Sequence, residues 1–300
     1  MRKAFAESMI EMAENDDKLV VLIGDISHPL LRGFAARFPA RFYNVGICEQ
    51  TIVGMAAGLA MEGFRPVVHT IAPFCVERAY EQIKVDLCYQ NLDVNIISVG
   101  SSFDYAHLGC THHCYEDISI LRPLPNIDIF VPGTSNEFKS LFKEAWNNGR
   151  PKYFKLTKTQ HKENFEVEVY ECKILNKGHK KVIFVNGHLL QNVLNLSDHK
   201  ENTIVYCPTI EPISTRSQDM IAGLLLRHDS ALVVEENSSS GALADKIFDI
   251  ASENNVKVFI KKLGIPREFC VNYGTADDHR EALGLTTQGI QEKINEMGHV

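Results

Sequence analysis

Short apolar runs alternate with amphipathic stretches of helical length along almost the whole chain, and this alternation limits the folds that the chain can adopt. The runs include LVVLIG (19–24), RPVVHTI (65–71), VNIISVG (94–100) and IDIFVP (127–132). They are mostly apolar at successive positions, which is typical of strands buried on both faces. Amphipathic stretches such as 72–91 and 134–149 separate them. The sequence therefore predicts an α/β fold with a parallel sheet covered by helices on both faces.

A polar, charged segment at 158–180 interrupts the alternation, and a second series of strand-like and helix-like stretches follows it. The second series includes KKVIFVN (180–186), TIVYCP (203–208) and SALVVEEN (230–237). We therefore predict a first α/β domain at 1–157, a linker at 158–180 and a smaller α/β domain at 181–300.

The composition argues against several classes of protein. The net charge of −7 is opposite in sign to that of a typical nucleic-acid-binding protein. No apolar run reaches the length that spans a bilayer, and the N-terminal MRKAFAESMIEMAENDD carries acids within a helical pattern, unlike a secretion signal. The eight scattered cysteines include no CxxC pair, which is typical of reduced thiols. These features predict a cytoplasmic protein that binds neither nucleic acid nor membranes.

One local cluster, CTHHC at 110–114, holds four side chains of the metal-ligating type. Structural zinc sites take their ligands from separated segments, and donors packed so closely in sequence cannot easily surround one tetrahedral ion. We therefore expect no metal at this cluster. We interpret its histidines, His112 and His113, as imidazoles that line a substrate cleft.

Polar residues gather where the predicted strands of the first domain end. These places are GDISH (24–28), GICEQ (46–50), HTIAPF (69–74), the loop 100–115 and LTKTQ (156–160). Ligands of open parallel sheets bind beyond the carboxyl ends of the strands, so a binding site is predicted there. The chain has no GxxxxGK or GxGxxG segment, so it lacks a recognisable phosphate cradle of its own.

Glu49 occupies an unusual position within NVGICEQTIVGMAAGLAMEG (44–63). A turn at Gly46 leads into a helix of small apolar residues, and Glu49 stands where that helix begins. A carboxylate in an apolar wall is costly unless another group pairs with it. From the residues alone two explanations stay open: Glu49 stabilises the start of its own helix, or it binds a ligand.

Three motifs, in order, resemble the pyrimidine-binding domain of transketolase and its thiamine-diphosphate relatives. They are GICEQTIVGMAAGLAMEG, FRPVVHTIAPFCVERAYEQI and LGCTHHCYEDISILRPLPNIDIFVPG. TIEPIS (209–214) and the closing GLTTQGIQEKI resemble the family's smaller C-terminal α/β domain. Single-chain members of the family have a further N-terminal domain that holds a metal and the diphosphate, and nothing here resembles it. The chain therefore resembles the C-terminal subunit of a split, two-chain transketolase.

The resemblance implies an activity and an assembly. Thiamine diphosphate would serve as cofactor for the transfer of a two-carbon ketol unit from a ketose or ketose phosphate to an aldose. A partner, the N-terminal transketolase subunit, would bind the diphosphate and a Mg or Ca ion. Pyrimidine domains pair about a two-fold axis in the family, which implies a homodimer of this chain within a heterotetramer.

The resemblance also implies which residues contact the cofactor. The family's glutamate, matched by Glu49, hydrogen-bonds a ring nitrogen of the aminopyrimidine and so controls its protonation. Phe74 falls where the family places an aromatic ring against the pyrimidine, although a plain core phenylalanine is an equal alternative. Ile47 and Arg78 are the further expected cofactor contacts.

Substrate contacts are expected from the other strand ends. His112 matches the family's histidine at the reacting end of the donor sugar, where it could hydrogen-bond a hydroxyl or move its proton. His113, His69 and Asp25 are expected nearby. Lys158 stands in place of the family's phosphate-binding arginine, and lysine binds phosphate as a point charge.

Two departures from the family bear on the substrate. Leu108 and Cys110 replace an acid and a proline of many single-chain members, so the donor sugar can differ from the usual one.

A 1-deoxyxylulose-5-phosphate synthase and the beta chain of a 2-oxoacid dehydrogenase share the glutamate and the fold, and they stay as alternatives. A non-catalytic dimerisation partner is the alternative from a different class.

Overall fold

The computed structural model describes residues 1–299, and in them the chain forms two β-sheets flanked by helices. The strands are β1 (Leu19–Ile23), β2 (Phe42–Asn44), β3 (Arg65–Ile71), β4 (Asn95–Val99), β5 (Asp128–Phe130), β6 (Lys152–Lys155), β7 (Lys173–Asn176), β8 (Val182–Val185), β9 (Thr203–Tyr206), β10 (Thr209–Glu211), β11 (Ser230–Ser238) and β12 (Phe259–Ile265).

The α-helices are α1 (Arg2–Asn15), α2 (His28–Arg37), α3 (Glu49–Met61), α4 (Ala72–Val76), α5 (Tyr80–Gln82), α6 (Asp117–Leu121), α7 (Ser135–Ala145), α8 (Leu190–Leu194), α9 (Thr215–Leu225), α10 (Leu243–Glu253), α11 (Ala276–Ala282) and α12 (Thr287–Glu296). A π-helical segment, Ile83–Tyr89, continues α5. Among residues 1–299, no helix has the length and apolarity needed to cross a membrane.

The first sheet has the strand order β10-β5-β6-β4-β3-β1-β2, and the second has the order β12-β11-β8-β9-β7. All neighbouring strands pair in parallel except at one edge of each sheet, where β10 and β7 pair antiparallel. Each sheet therefore has a parallel centre, as the sequence predicts. This arrangement confirms the α/β fold class.

Successive residues of the central strands pack into two different apolar layers. In β1, Val21 and Ile23 join one core with α1, α2 and α7, whereas Leu22 joins a second core with α3. In β8, Ile183 and Phe184 divide in the same way. Burial of both faces explains why these strands are apolar at successive positions.

The structure differs from the predicted elements in particular places. The last helix, predicted near 280–297, is two helices, α11 and α12, and the helix predicted at 72–91 is interrupted between α4 and α5. Residues 158–180, predicted as a linker, contain β7, which pairs with β9. Strand β10 lies beyond residue 180 but pairs with β5 of the first sheet. The boundaries at 157 and 181 stay a prediction.

Candidate active site

The sheet topology brings four predicted site residues to one edge. Parallel strands β2, β3, β4 and β6 end at the same side of the first sheet. Glu49 follows β2, Phe74 follows β3, His112 lies in the loop after β4, and Lys158 follows β6. Loops at the carboxyl ends of parallel strands are where such folds bind ligands.

Glu49 is the first residue of α3, and only 1% of its surface is exposed. Its Oε2 accepts a hydrogen bond from Arg78 Nη1 at 2.7 Å, and its Oε1 accepts one from Thr70 Oγ1 at 3.3 Å. These bonds reach away from α3, to β3 and to the turn between α4 and α5. A partner for the buried carboxylate is thus provided by other elements and not by the start of its own helix.

Arg78 connects the carboxylate to an aromatic pair. Its guanidinium carbon lies 4.4 Å from the centre of the Phe74 ring, and 39% of its side chain is exposed. The Phe74 ring meets the His112 ring edge-on, with the centres 5.2 Å apart. Glu49, Arg78, Phe74 and His112 therefore form one continuous cluster, which we call the acid–aromatic cluster.

The loop after β4 holds His112 at the mouth of this cluster. Backbone hydrogen bonds between Ser102 and Cys114, at 2.7 and 3.1 Å, close the base of the loop. His112 Nδ1 lies 3.0 Å from Thr111 Oγ1. Partial burial, helped by the nearby His107, lowers the pKa of His112 below its usual value. The imidazole is therefore mainly neutral at pH 7.

His113 turns inward from the same loop. Its ring packs edge-on against Phe103 and His279, with centres 5.3 and 5.2 Å away, and Nε2 lies 3.4 Å from the carbonyl oxygen of Ala106. Burial lowers its pKa. The structure thus places His113 in the packing between the loop and α11, and not beside His112 at the mouth of the cluster.

Lys158 is fixed against the same loop on its other side. Its backbone N–H donates to both carboxylate oxygens of Asp104, at 3.0 and 2.9 Å, and Nζ donates to the Asp104 carbonyl oxygen at 2.6 Å. The ammonium lies 4.1 Å from the centre of the Tyr105 ring. Burial raises the pKa of the Asp104 carboxyl to about 6.

A pocket of about 260 Å³ adjoins Lys158 and includes residues that the sequence pattern did not indicate. Met1, Arg2, Lys3 and Tyr105 line it together with Lys158. Three residues with cationic side chains, Arg2, Lys3 and Lys158, therefore line this pocket together with one acid, Asp104. The basic residues of the MRK start were the only sequence feature that could have indicated this pocket. They reach it because α1 packs on the sheet, which the sequence pattern does not show.

His69 does not face this cleft. It is fully buried, stacked on Phe5 with ring centres 4.2 Å apart, and its nitrogens lie 2.8 Å from Ser27 Oγ and 2.8 Å from the Ile97 carbonyl oxygen. Burial lowers its pKa to about 4, so the ring is neutral. Ser27 in turn accepts a hydrogen bond from Arg2 Nη2 at 2.9 Å. His69 thereby helps to position Arg2.

Two other predicted residues lie outside the acid–aromatic cluster. Asp25 is exposed and bonds His28 Nε2 at 2.8 Å and Asn44 Nδ2 at 3.2 Å, and the His28 contact lowers its pKa. Ile47 is 67% exposed, in the turn before α3. Within the described part of the chain, no group of three or more His, Cys, Asp and Glu side chains is arranged to hold a metal ion.

Comparison with known proteins gives the family of this chain. Residues 1–163 match the family described as transketolase, pyrimidine binding domain. The chain belongs to the transketolase family. One of its relatives, an apulose-4-phosphate transketolase subunit from Actinobacillus succinogenes, is 31% identical over 294 residues, which cover 95% of this chain and 94% of that relative.

Two further likenesses extend the family assignment. The 1-deoxy-D-xylulose-5-phosphate synthase of Haemophilus influenzae is 30% identical over 97% of this chain, which spans 47% of that enzyme. A solved structure described as a split gene transketolase, inactive beta4 tetramer, superposes with a TM-score of 0.86 at 26% identity and covers 98% of this chain and 96% of its own. The predicted resemblance to the C-terminal subunit of a split transketolase is confirmed.

Proposed function

We propose that this chain is the C-terminal subunit of a transketolase, which transfers a two-carbon ketol unit from a ketose or ketose phosphate to an aldose acceptor. The observation that carries the proposal is the buried carboxylate of Glu49, in one cluster with Phe74 and His112 at the carboxyl edge of the sheet. A buried carboxylate beside an aromatic ring, at the place where such folds bind ligands, supports a binding and catalytic role.

The residues of the cluster fit the aminopyrimidine of thiamine diphosphate. Glu49 offers carboxylate oxygens as acceptors in a wall of apolar residues, and Phe74 offers a ring for stacking. When bound, the cofactor supplies the carbanion chemistry. Glu49 would hold a proton at a ring nitrogen, and Ile47 and Arg78 would border the same ring. The described residues include no phosphate cradle, so we assign the diphosphate and its Mg or Ca ion to a partner subunit.

Substrate binding is assigned to the loop after β4 and to the cationic pocket. Neutral His112 can accept a hydrogen bond from a sugar hydroxyl and help to move its proton. Lys158, Arg2 and Lys3 outnumber the single acid that lines the pocket, Asp104, and this excess of positive charge suits a phosphate group. His69 and His113 are buried and are not proposed to touch the sugar, whereas Asp25 is exposed and stays a proposed substrate contact.

The partner is proposed to be an N-terminal transketolase subunit that carries the diphosphate-binding domain. Two copies of this chain would pair through the first domain within a heterotetramer. The similar split-gene beta chain, which is described as an inactive beta4 tetramer, supports both the self-association and the need for a partner. All eight cysteines are free, which supports a cytoplasmic location.

The test is to search the neighbouring open reading frames for an N-terminal transketolase subunit, to reconstitute the chain with it, and to assay the complex with ketoses and with pyruvate. Cleavage of a ketose that depends on thiamine diphosphate is expected, and Glu49→Gln should lower turnover by about two orders of magnitude or more while the complex still forms. Near-normal turnover of that variant would refute the role of Glu49.

A second candidate is favoured by one observation, the 30% identity to a 1-deoxyxylulose-5-phosphate synthase along nearly the whole chain. Consumption of pyruvate with release of carbon dioxide, while ketoses stay unreacted, would establish this reaction type in place of ketol transfer. Absence of cofactor binding by the reconstituted complex would instead leave the non-catalytic role.

A further inference from the structure

The guanidinium of Arg78 contacts both side chains, Glu49 and Phe74, that the proposed function assigns to binding of the cofactor ring. Arg78 Nη1 donates to Glu49 Oε2 at 2.7 Å, and the same group lies over the Phe74 ring at 4.4 Å. Thr70 donates to the other carboxylate oxygen. With 1% of its surface exposed, Glu49 has no room for a further donor while Arg78 is in this position. A ring that bonds Glu49 must therefore displace one of its two donors, and Arg78 is the exposed one, since Thr70 is buried.

Arg78 has the chemistry and the freedom to be moved. A guanidinium is planar, donates to carboxylates and stacks on aromatic faces, so it makes contacts of the same kind as a protonated aminopyrimidine. Because 39% of its side chain is exposed, its charge can be taken up by water when it leaves. Glu49 cannot leave in the same way, because it is enclosed by α3 and β3.

We propose that Arg78 is a displaceable latch, which occupies the aminopyrimidine site of the free subunit and leaves Glu49 when thiamine diphosphate binds. This inference rests on the proposed function and deepens it. The latch keeps the buried carboxylate paired before the cofactor arrives, because an unpaired buried charge is strongly destabilising. It also weakens binding, because the apparent affinity falls in proportion to the fraction of subunits in which the latch is open.

Arg78→Met in the reconstituted complex tests the latch. If the open fraction is one tenth or less, the variant should bind thiamine diphosphate at least about tenfold more tightly than the wild type does, in titrations with Mg²⁺ present. Its melting temperature should be lower than that of the wild type without cofactor, and saturating cofactor should remove most of this difference. Weaker binding by Arg78→Met, or an equal loss of stability with and without cofactor, would overturn the proposal.

Two further variants separate the latch from a general loss of packing. Arg78→Lys keeps a cation for Glu49 but cannot stack on Phe74 as a plane, so its affinity should lie between those of the wild type and Arg78→Met. Arg37→Met is the matched control, because Arg37 also bonds a glutamate, Glu14, and lies 5.5 Å from a phenylalanine ring, Phe38. It should leave cofactor affinity unchanged.

These outcomes are distinct from failure of the proposed function. If the wild-type complex binds no thiamine diphosphate, or if Glu49→Gln keeps full turnover, the function itself is wrong. If binding depends on Glu49 but Arg78→Met binds less tightly than the wild type, Arg78 holds the cofactor directly and only the latch is refuted.

Discussion

The ion pair between Arg78 and Glu49 predicts that its two members have unequal effects on stability when each is replaced. The pair is asymmetric, because Glu49 is 1% exposed while 39% of the Arg78 side chain reaches solvent. Removal of one member leaves the other without its partner. The cost therefore depends on which charge is left, and on whether water can reach it.

The size of each loss of stability follows from the burial of the side chain that is left without its partner. Arg78→Met leaves a buried carboxylate with only Thr70 as a donor, and stranding a buried charge costs about 3–5 kcal/mol. Glu49→Gln leaves a half-exposed guanidinium that water can solvate, and the amide oxygen still accepts from it. The loss is then about 1 kcal/mol, the difference between a charge-assisted and a neutral hydrogen bond.

Urea unfolding of the subunit without cofactor measures both values, and thermal melting gives a second reading. At about 2–4 °C per kcal/mol, Arg78→Met should melt about 6 °C or more below the wild type, and Glu49→Gln about 2–4 °C below. Glu14→Gln, in the exposed pair with Arg37, is the control and should shift the midpoint by less than about 1 kcal/mol. Equal losses for Glu49→Gln and Arg78→Met would refute the argument from burial.

Three further outcomes are expected. His112→Ala should fold normally but lower kcat/KM with the ketose donor by about 10²-fold, since a positioned imidazole contributes that much to proton transfer; an unchanged kcat/KM would exclude it from the site. Lys158→Ala should raise KM for a phosphorylated donor and leave KM for the unphosphorylated sugar unchanged, which steady-state kinetics with both sugars would check. The folded pKa of Asp104, about 6, lies above its ordinary value of 3.8, so its favourable contribution to stability is complete below about pH 4 and is lost as pH rises through 6. Asp104→Asn should therefore gain stability relative to the wild type between pH 4 and 6, and parallel melting curves across that range would contradict this.

The central strands of both sheets and the position of Glu49 could be predicted because they depend on local pattern. Continuous apolar runs indicate strands buried on both faces. A lone acid at the start of an apolar helix indicates a functional or capping role, because a buried carboxylate needs a partner. The short edge strands β7 and β10 could not be predicted, because their pairing with β9 and β5 joins segments that no local pattern connects.

His69 shows why the direction of a side chain was harder to predict than its position. Neighbours on a strand point to opposite faces, so His69 and Thr70 must diverge. In the structure Thr70 points to Glu49, and His69 points to Phe5 of α1. The sequence placed both at the end of β3, but only the packing of α1 and α3 determines which face holds the site. The contribution of Arg2 was missed for the same reason.

Strand β10 has a consequence for how this molecule can be divided. It lies more than fifty residues beyond Lys155, the last residue of β6, yet it covers the outer edge of β5 through pairing with Phe130 and Ile129. A polypeptide that stops ahead of Thr209 would leave that edge as a row of unmatched amide and carbonyl groups, which recruit strands from other molecules. Strand β10 thus protects the edge of the first sheet from pairing with other molecules, and expression of residues 1–163 alone should give aggregates.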